Sequence, residues 1–364
     1  MSFRLRKYEL PFSVEVLRRI EDILRKRRVF GFFDRTFDPY NLLSFVEQRL
    51  AHDSRTVAYF DQNVLNDCIE PVRMAIDGDV RPCTERGRFG AALMAFLQAG
   101  DILIEPSIAV HEKRQYAQRD LQLFRCADLV DPRLYAGLAL CETDRLPREA
   151  LPKLEEPEHH LDFSKPLTGT LILKTALLKV ACVEVGPLDR KGKLREFIRW
   201  SFEDFCFARV PILMACSYLS PRRQNPMLKD LRSPDRRRAL MGIENALWDV
   251  HLIHNWTKKV AAQKEGNRLY LLCSRDAAVQ TIAEIICQAD ASPSDLEDLL
   301  RSFFVSYWGQ KDGNELASFL IDCERRKDDP MRSHHKDRSH GRLLKMRDAL
   351  ERDLLEWRDS TTLV

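Results

Sequence analysis

Thr56-Val57-Ala58-Tyr59-Phe60-Asp61 is the stretch on which the reading of this chain turns. Five uncharged, mostly apolar residues rich in strand formers stop at a carboxylate. A continuous run of this kind belongs inside a parallel sheet rather than on a half-solvated one. From Asn63 to Ile69 the apolar residues take up helical spacing, so the chain passes from strand to helix at Asp61. Two further units repeat the rhythm. Arg88 to Ala99 predicts a helix ended by Gly100, Ile102 to Ile104 a short strand, and Ser107 the start of a helix through Glu112 towards Cys126. Asp235 to Lys264 predicts a long helix closed by Gly266-Asn267, with a strand at Arg268 to Cys273 and a helix at Ala277 to Gln288 behind it. Helix and strand alternating in this way predict an α/β fold with a mostly parallel central sheet.

Working outward, residues 1–55 read as an appended N-terminal helical segment. Phe3 to Leu10 alternates like a short edge strand, Ser13 to Arg27 is a basic amphipathic helix capped by Ser13, and Tyr40 to His52 is a second helix. The α/β unit occupies 56–131 and resumes over 235–289. Between them, 132–234 forms a linker and a helical insertion. Pro147, Pro152, Pro157 and Pro166, with His159-His160 among them, mark the linker, and Leu167 to Tyr218 predicts two or three helices. Residues 290–364 form a C-terminal helical region, interrupted by a polar, His/Arg-rich stretch from Arg332 to His340.

Composition narrows the class of protein. At 364 residues with 45% hydrophobic and 31% charged side chains, the chain buries a sizeable core and suggests two or three structural units. The ten cysteines form no Cys-x-x-Cys pair, and several lie in apolar stretches, which points to a reducing, cytoplasmic setting rather than a disulfide or zinc framework. The N-terminus carries no apolar core of a signal peptide. Leu167 to Gly186, the longest apolar stretch, holds Lys174, Lys179 and Glu184 and reads as a buried helix, not a membrane span. A net charge of +3 does not announce a nucleic-acid binder. Local basic runs at Arg222-Arg223, Arg236-Arg237-Arg238, Lys258-Lys259 and Arg325-Arg326-Lys327 are either solvated faces or phosphate contacts.

In parallel α/β sheets, ligands gather at the carboxyl ends of the strands. Asp61 follows the first strand directly, Asp276 lies three residues after the last, and Glu112 lies on the helix behind the middle one. Asp249 sits midway along the helix that precedes the last strand. Carboxylates gathered in one place repel each other unless a hard divalent cation such as Mg²⁺ or Mn²⁺ neutralises them, and such a cation polarises phosphates and acidifies water.

These residues carry a resemblance. Phe60-Asp61-Gln62-Asn63-Val64-Leu65 resembles the opening motif of PIN domains, and Glu105-Pro106-Ser107-Ile108-Ala109-Val110-His111-Glu112 is similar to their second motif. Ala246-Leu247-Trp248-Asp249 stands in the place of the third, and Leu271-Leu272-Cys273-Ser274-Arg275-Asp276 looks like the closing Thr/Ser-x-Asp. The resemblance covers about half the chain and implies a PIN-like three-layer α/β fold, with the helical insertion looped out between Asp61 and Asp249. It also implies a Mg²⁺- or Mn²⁺-dependent endoribonuclease with Asp61, Glu112, Asp249 and Asp276 as catalytic and metal-holding residues. Asn63 and Ser274 would orient those ligands.

Each residue has a plainer role to set beside this one. Asp61 and Asp276 are also what an N-cap requires, Glu105 competes with Glu112, and Glu244 competes with Asp249. His251 and His254, three apart on one helix, read as partly buried helix histidines, and His334-His335 as solvated. No phosphate-binding Gly-x-x-x-x-Gly-Lys loop, Gly-x-Ser-x-Gly elbow or His-Glu-x-x-His pair is present. The expectation is therefore a metal-dependent nuclease acting on RNA, single-stranded, away from membranes. The rival is an inactive regulatory or scaffold protein whose helical insertion or C-terminal helices bind a protein partner or nucleic acid, and a DNA-directed relative of the flap endonucleases is a third reading.

Overall fold

The computed structural model describes residues 9–32, 37–153, 162–222, 228–262, 267–288, 293–329 and 339–358. Most of the strand expected at Phe3 to Leu10, the linker histidines His159-His160, Arg223, Gly266, the boundary at Asp290 and the pair His334-His335 lie outside the described residues.

The chain divides into two compact units: Met1–Lys165 with Asn255–Glu284, and Pro166–His254 with Ile285–Val364. In chain order the elements are α1 (Val14–Arg27), β1 (Phe30–Gly31), α2 (Leu42–His52), β2 (Arg55–Phe60), α3 (Gln62–Asp77), α4 (Glu85–Ala99) and β3 (Leu103–Glu105). They continue with α5 (Ser107–Glu112), α6 (Ala117–Asp128), α7 (Pro132–Ala139), α8 (Thr170–Val185), α9 (Arg190–Glu203) and α10 (Arg209–Leu219). The last are α11 (Arg236–Ala262), β4 (Arg268–Cys273), α12 (Ala277–Gln288), α13 (Pro293–Trp308), α14 (Gln310–Arg325) and α15 (His340–Glu356).

The expected three-layer α/β fold with a mostly parallel central sheet is not what forms. The described chain is mostly helical, and its strands make one small, mixed, four-stranded sheet in the order β1-β4-β2-β3. The strand positions were legible, but three short strands followed by helices do not amount to a layered architecture. β3 is three residues long, and every other long apolar pattern packs as helix. The sheet is mixed because the N-terminal segment supplies β1, antiparallel to β4, with Phe30 opposite Cys273 and Gly31 opposite Leu272. β4 and β3 run parallel to β2 on either side of it, pairing Phe60 with Cys273 and Tyr59 with Glu105.

The first unit is built around α4, whose side chains are buried from Phe89 to Leu97 without a break. α1 lays Leu17, Ile20 and Leu24 on this core at helical spacing, and Ser13 caps its first turn by accepting from the Val16 N–H. α3 crosses α4 at Gly90, where an added Cβ would lie 2.1 Å from the Asp67 carbonyl oxygen. That carbonyl has lost its donor four residues on, because position 71 is a proline. Absence of a side chain on Gly90 is what lets the two helices close there. The helix expected to run from Ser107 towards Cys126 is broken into α5, one tight turn at Arg114–Tyr116, and α6.

Among the described residues, every regular element of the second unit is a helix. α8 is buried nearly all round, and α13 and α14 pack as a hairpin through Gly309 (φ +80°). Arg236 is buried as a brace, donating to the carbonyls of Leu231, Ser233 and Leu354 with the Trp357 ring below its guanidinium. Among the described residues, no helix is long and apolar enough to cross a membrane.

Candidate active site

The register of β2 against β4 builds the site. Phe60 pairs with Cys273, so the residues that follow them, Asp61 and Ser274, leave the sheet side by side. The Asp61 N–H completes the ladder on the Cys273 carbonyl at 2.9 Å. Its carboxylate is buried, with 6% of the residue exposed, at the position that precedes α3. The side chain makes no capping bond to that helix. Instead its Oδ2 accepts from the Ser274 hydroxyl at 2.9 Å. Burial pushes the Asp61 carboxyl above its usual range. The Ser274 bond and the first amides of α3 pull it back, and the charge on Asp276 pushes it up again.

Ser274 itself is fully buried and accepts from the Asp276 N–H at 3.0 Å. One hydroxyl therefore orients Asp61 and holds the turn into α12. Asp276 is half-buried and takes the plainer role in part, since its Oδ1 accepts from the amides of Ala278 (2.8 Å) and Val279 (3.2 Å). Glu112, at the end of α5, is half-buried; burial and then the Asp61 charge push its carboxyl up to about 7. Asp61 thus feels the charge of Asp276, and Glu112 that of Asp61, beyond the carboxyl ends of three adjacent parallel strands. Among the described residues, no three His, Cys, Asp or Glu side chains stand close enough together to hold a metal ion.

The remaining expectations fall as follows. Asn63 is exposed on the first turn of α3. Asp249 is half-buried on α11 and belongs to the second unit, whereas Asp61, Glu112 and Asp276 belong to the first. Its competitor Glu244 is engaged by Lys174 at 2.5 Å, and Glu105 accepts from the Ser107 N–H at 2.9 Å. His251 is fully buried with its Nε2 2.9 Å from the Thr170 hydroxyl, a structural placement. The basic runs are largely spent on internal contacts: Arg325 pairs with Glu297, Arg326 with Asp322, Lys327 with Glu324, and Arg222 donates to the Ser306 carbonyl.

Sequence reasoning passed over two features. Asp67, on α3, is almost fully buried with its Oδ2 3.0 Å from Nε of Arg275. Burial raises its carboxyl to about 6 against the pull of Arg275 and Arg86. Its signal was a carboxylate inside the apolar stripe of Val64, Leu65, Cys68 and Ile69. The second is the run Arg25-Lys26-Arg27-Arg28, which ends α1 just before β1.

No family model matches this chain, and neither do any curated protein or solved structure.

Proposed function

We propose that this chain hydrolyses phosphodiester bonds with the help of Mg²⁺ or Mn²⁺, at the carboxylates gathered about Asp61. The observation that carries this reading is the buried Asp61 carboxylate, oriented by Ser274 and electrostatically coupled to Glu112 and Asp276 at the strand ends. Buried like charges are costly unless neutralised, and the all-oxygen donor set suits a hard cation. Mg²⁺ keeps several waters and often takes only one or two protein carboxylates with the substrate phosphate, so Asp61 and Glu112 suffice as its protein ligands.

A bound cation of this type supplies Lewis-acid polarisation of a phosphate oxygen and a lowered pKa for water. Ser274 fixes the direction of Asp61, and Asp276 holds the start of α12 so that Ser274 keeps its place. In the hydrolysis, a water oxygen bonds to phosphorus as the bond from phosphorus to the leaving oxygen breaks. The water proton passes to solvent, and the leaving oxygen takes one from solvent. Single-stranded RNA is the proposed substrate, in a reducing, cytoplasmic setting that the free cysteines suit.

The test is cleavage of labelled RNA and DNA in Mn²⁺ or Mg²⁺, with EDTA and Asp61→Asn as controls. Metal-dependent cleavage lost in the variant is expected. No such cleavage would sink the reading. The scaffold alternative draws its support from Asp276, which spends one oxygen on α12, and from Asp67, already neutralised by Arg275.

A further inference from the structure

We infer that Lys26 and Arg28 at the basic end of α1, together with Arg275, form a track for the phosphate backbone of a nucleic-acid strand leading to Asp61. The inference deepens the hydrolase reading above and rests on it. All four side chains of Arg25-Lys26-Arg27-Arg28 are exposed. Arg25 is held by Asp38 and Arg27 by Glu85, while Lys26 and Arg28 make no ion pair among the described residues.

Backbone bonds fix where this basic end lies. The chain passes from Arg28 into β1, and the Ser274 N–H donates to the Val29 carbonyl at 2.9 Å. The antiparallel pairing of Phe30 with Cys273 thus continues one step further, to Val29 and Ser274. Gln280, one turn into the helix that Asp276 caps, donates from Nε2 to the carbonyls of both Arg28 and Ser274. Arg28 is further held in the left-handed region (φ +48°, ψ +49°) with its N–H on the Arg25 carbonyl. The cations of α1 thus stand on the strand end that carries Ser274 and Asp276. Across from them, Arg275 lies against Asp67 with 28% of its side chain exposed.

Charge complementarity names the occupant. A carboxylate cluster alone repels a polyanion, and a phosphate strand reaches it only where cations line the approach. Arginine's planar fork fits phosphate oxygens, and a flexible lysine adds a point charge. Three such residues on neighbouring segments suit successive phosphates of an extended strand better than a single bound anion.

The test is binding of labelled RNA and DNA strands of about a dozen nucleotides, read by fluorescence anisotropy in EDTA from about 50 to 200 mM salt. The variant is Lys26→Gln with Arg28→Asn, since asparagine tolerates the left-handed backbone. Expected are binding about tenfold weaker and a salt slope flatter by about 1.4, as for two lost contacts to a single strand. Arg237→Gln with Arg238→Gln, in the second unit, should leave both unchanged, and thermal unfolding checks that each variant is folded. Unaltered affinity and slope in the Lys26/Arg28 variant, an equal loss in the control, or no binding by the wild type would overturn the track. Cleavage in Mn²⁺ is scored separately. Cleavage with unaltered binding in the variant refutes the track alone, and weakened binding without any wild-type cleavage supports the track while refuting the hydrolase.

Discussion

The Ser274 hydroxyl donates to Asp61 Oδ2 across 2.9 Å of space and 213 residues of sequence. Because both groups are buried, Ser274→Ala leaves a carboxylate short of a donor and should cost about 1–3 kcal/mol. The Asp61 carboxyl already lies above its unfolded value of 3.8, so its contribution to stability is lost as pH rises through the folded value. Removing the hydroxyl pushes it higher still. Denaturant titrations should therefore show a larger loss near pH 8 than near pH 4, and an equal loss at both would exclude this role for Ser274.

Glu112 sets a second pH dependence. Its carboxyl moves from 4.5 to about 7 on folding, chiefly by burial. Such a group favours the fold below pH 4.5, and that support is lost as pH rises towards and past about 7. Glu112→Gln should then gain stability on the wild type across that window and flatten the curve within it. Parallel curves for the two proteins would show that Glu112 is not titrating there.

Cation binding should be visible without substrate. Mn²⁺ at about a hundred times its Kd would add about 2.7 kcal/mol of stability. The gain should be greater above pH 7 than below it, where protons on Glu112 compete. Asp61→Asn should abolish most of it. A thermal shift of the same size in that variant would place the cation elsewhere.

Arg275 and Asp67 form a pair with one buried and one half-buried partner. Arg275→Ala strands the Asp67 charge and should cost about 2–4 kcal/mol at neutral pH, near the lower end for buried pairs because Arg275 reaches solvent. The deficit should shrink as pH falls towards about 6 and stay level below it, where Asp67 is protonated with or without Arg275. Asp67→Asn in the same protein should recover much of it, and a double-mutant cycle with no coupling would dissolve the pair.

Strand ends were legible because an apolar run that stops at a carboxylate is a local signal. Asp61 and Asp276 were found that way, Ser274 through the motif resemblance, and β2 and β4 nearly to the residue. The architecture was not, because layer count depends on how helices pack, and alternation over short windows does not specify it. Asp249 shows the same limit: its helix runs through a unit boundary, at His254, that no local pattern marks. β1 escaped as a two-residue strand whose partner lies far along the chain. Asp67 escaped because a carboxylate on an apolar stripe reads as an interruption until its cation is known.

Strand order also dictates a timetable. β4 fits between β1 and β2, so a slot prepared by the first sixty residues waits for a strand that arrives after position 267. At translation rates of about 5–20 residues per second, the 213 residues between Asp61 and Ser274 occupy roughly ten to forty seconds. A chain released from the ribosome before Arg268 keeps both flanking edges open and leaves Asp61 without its hydroxyl partner. Synthesis past Ser274 is thus a condition for the site to exist, and no fragment that ends before it can acquire it early.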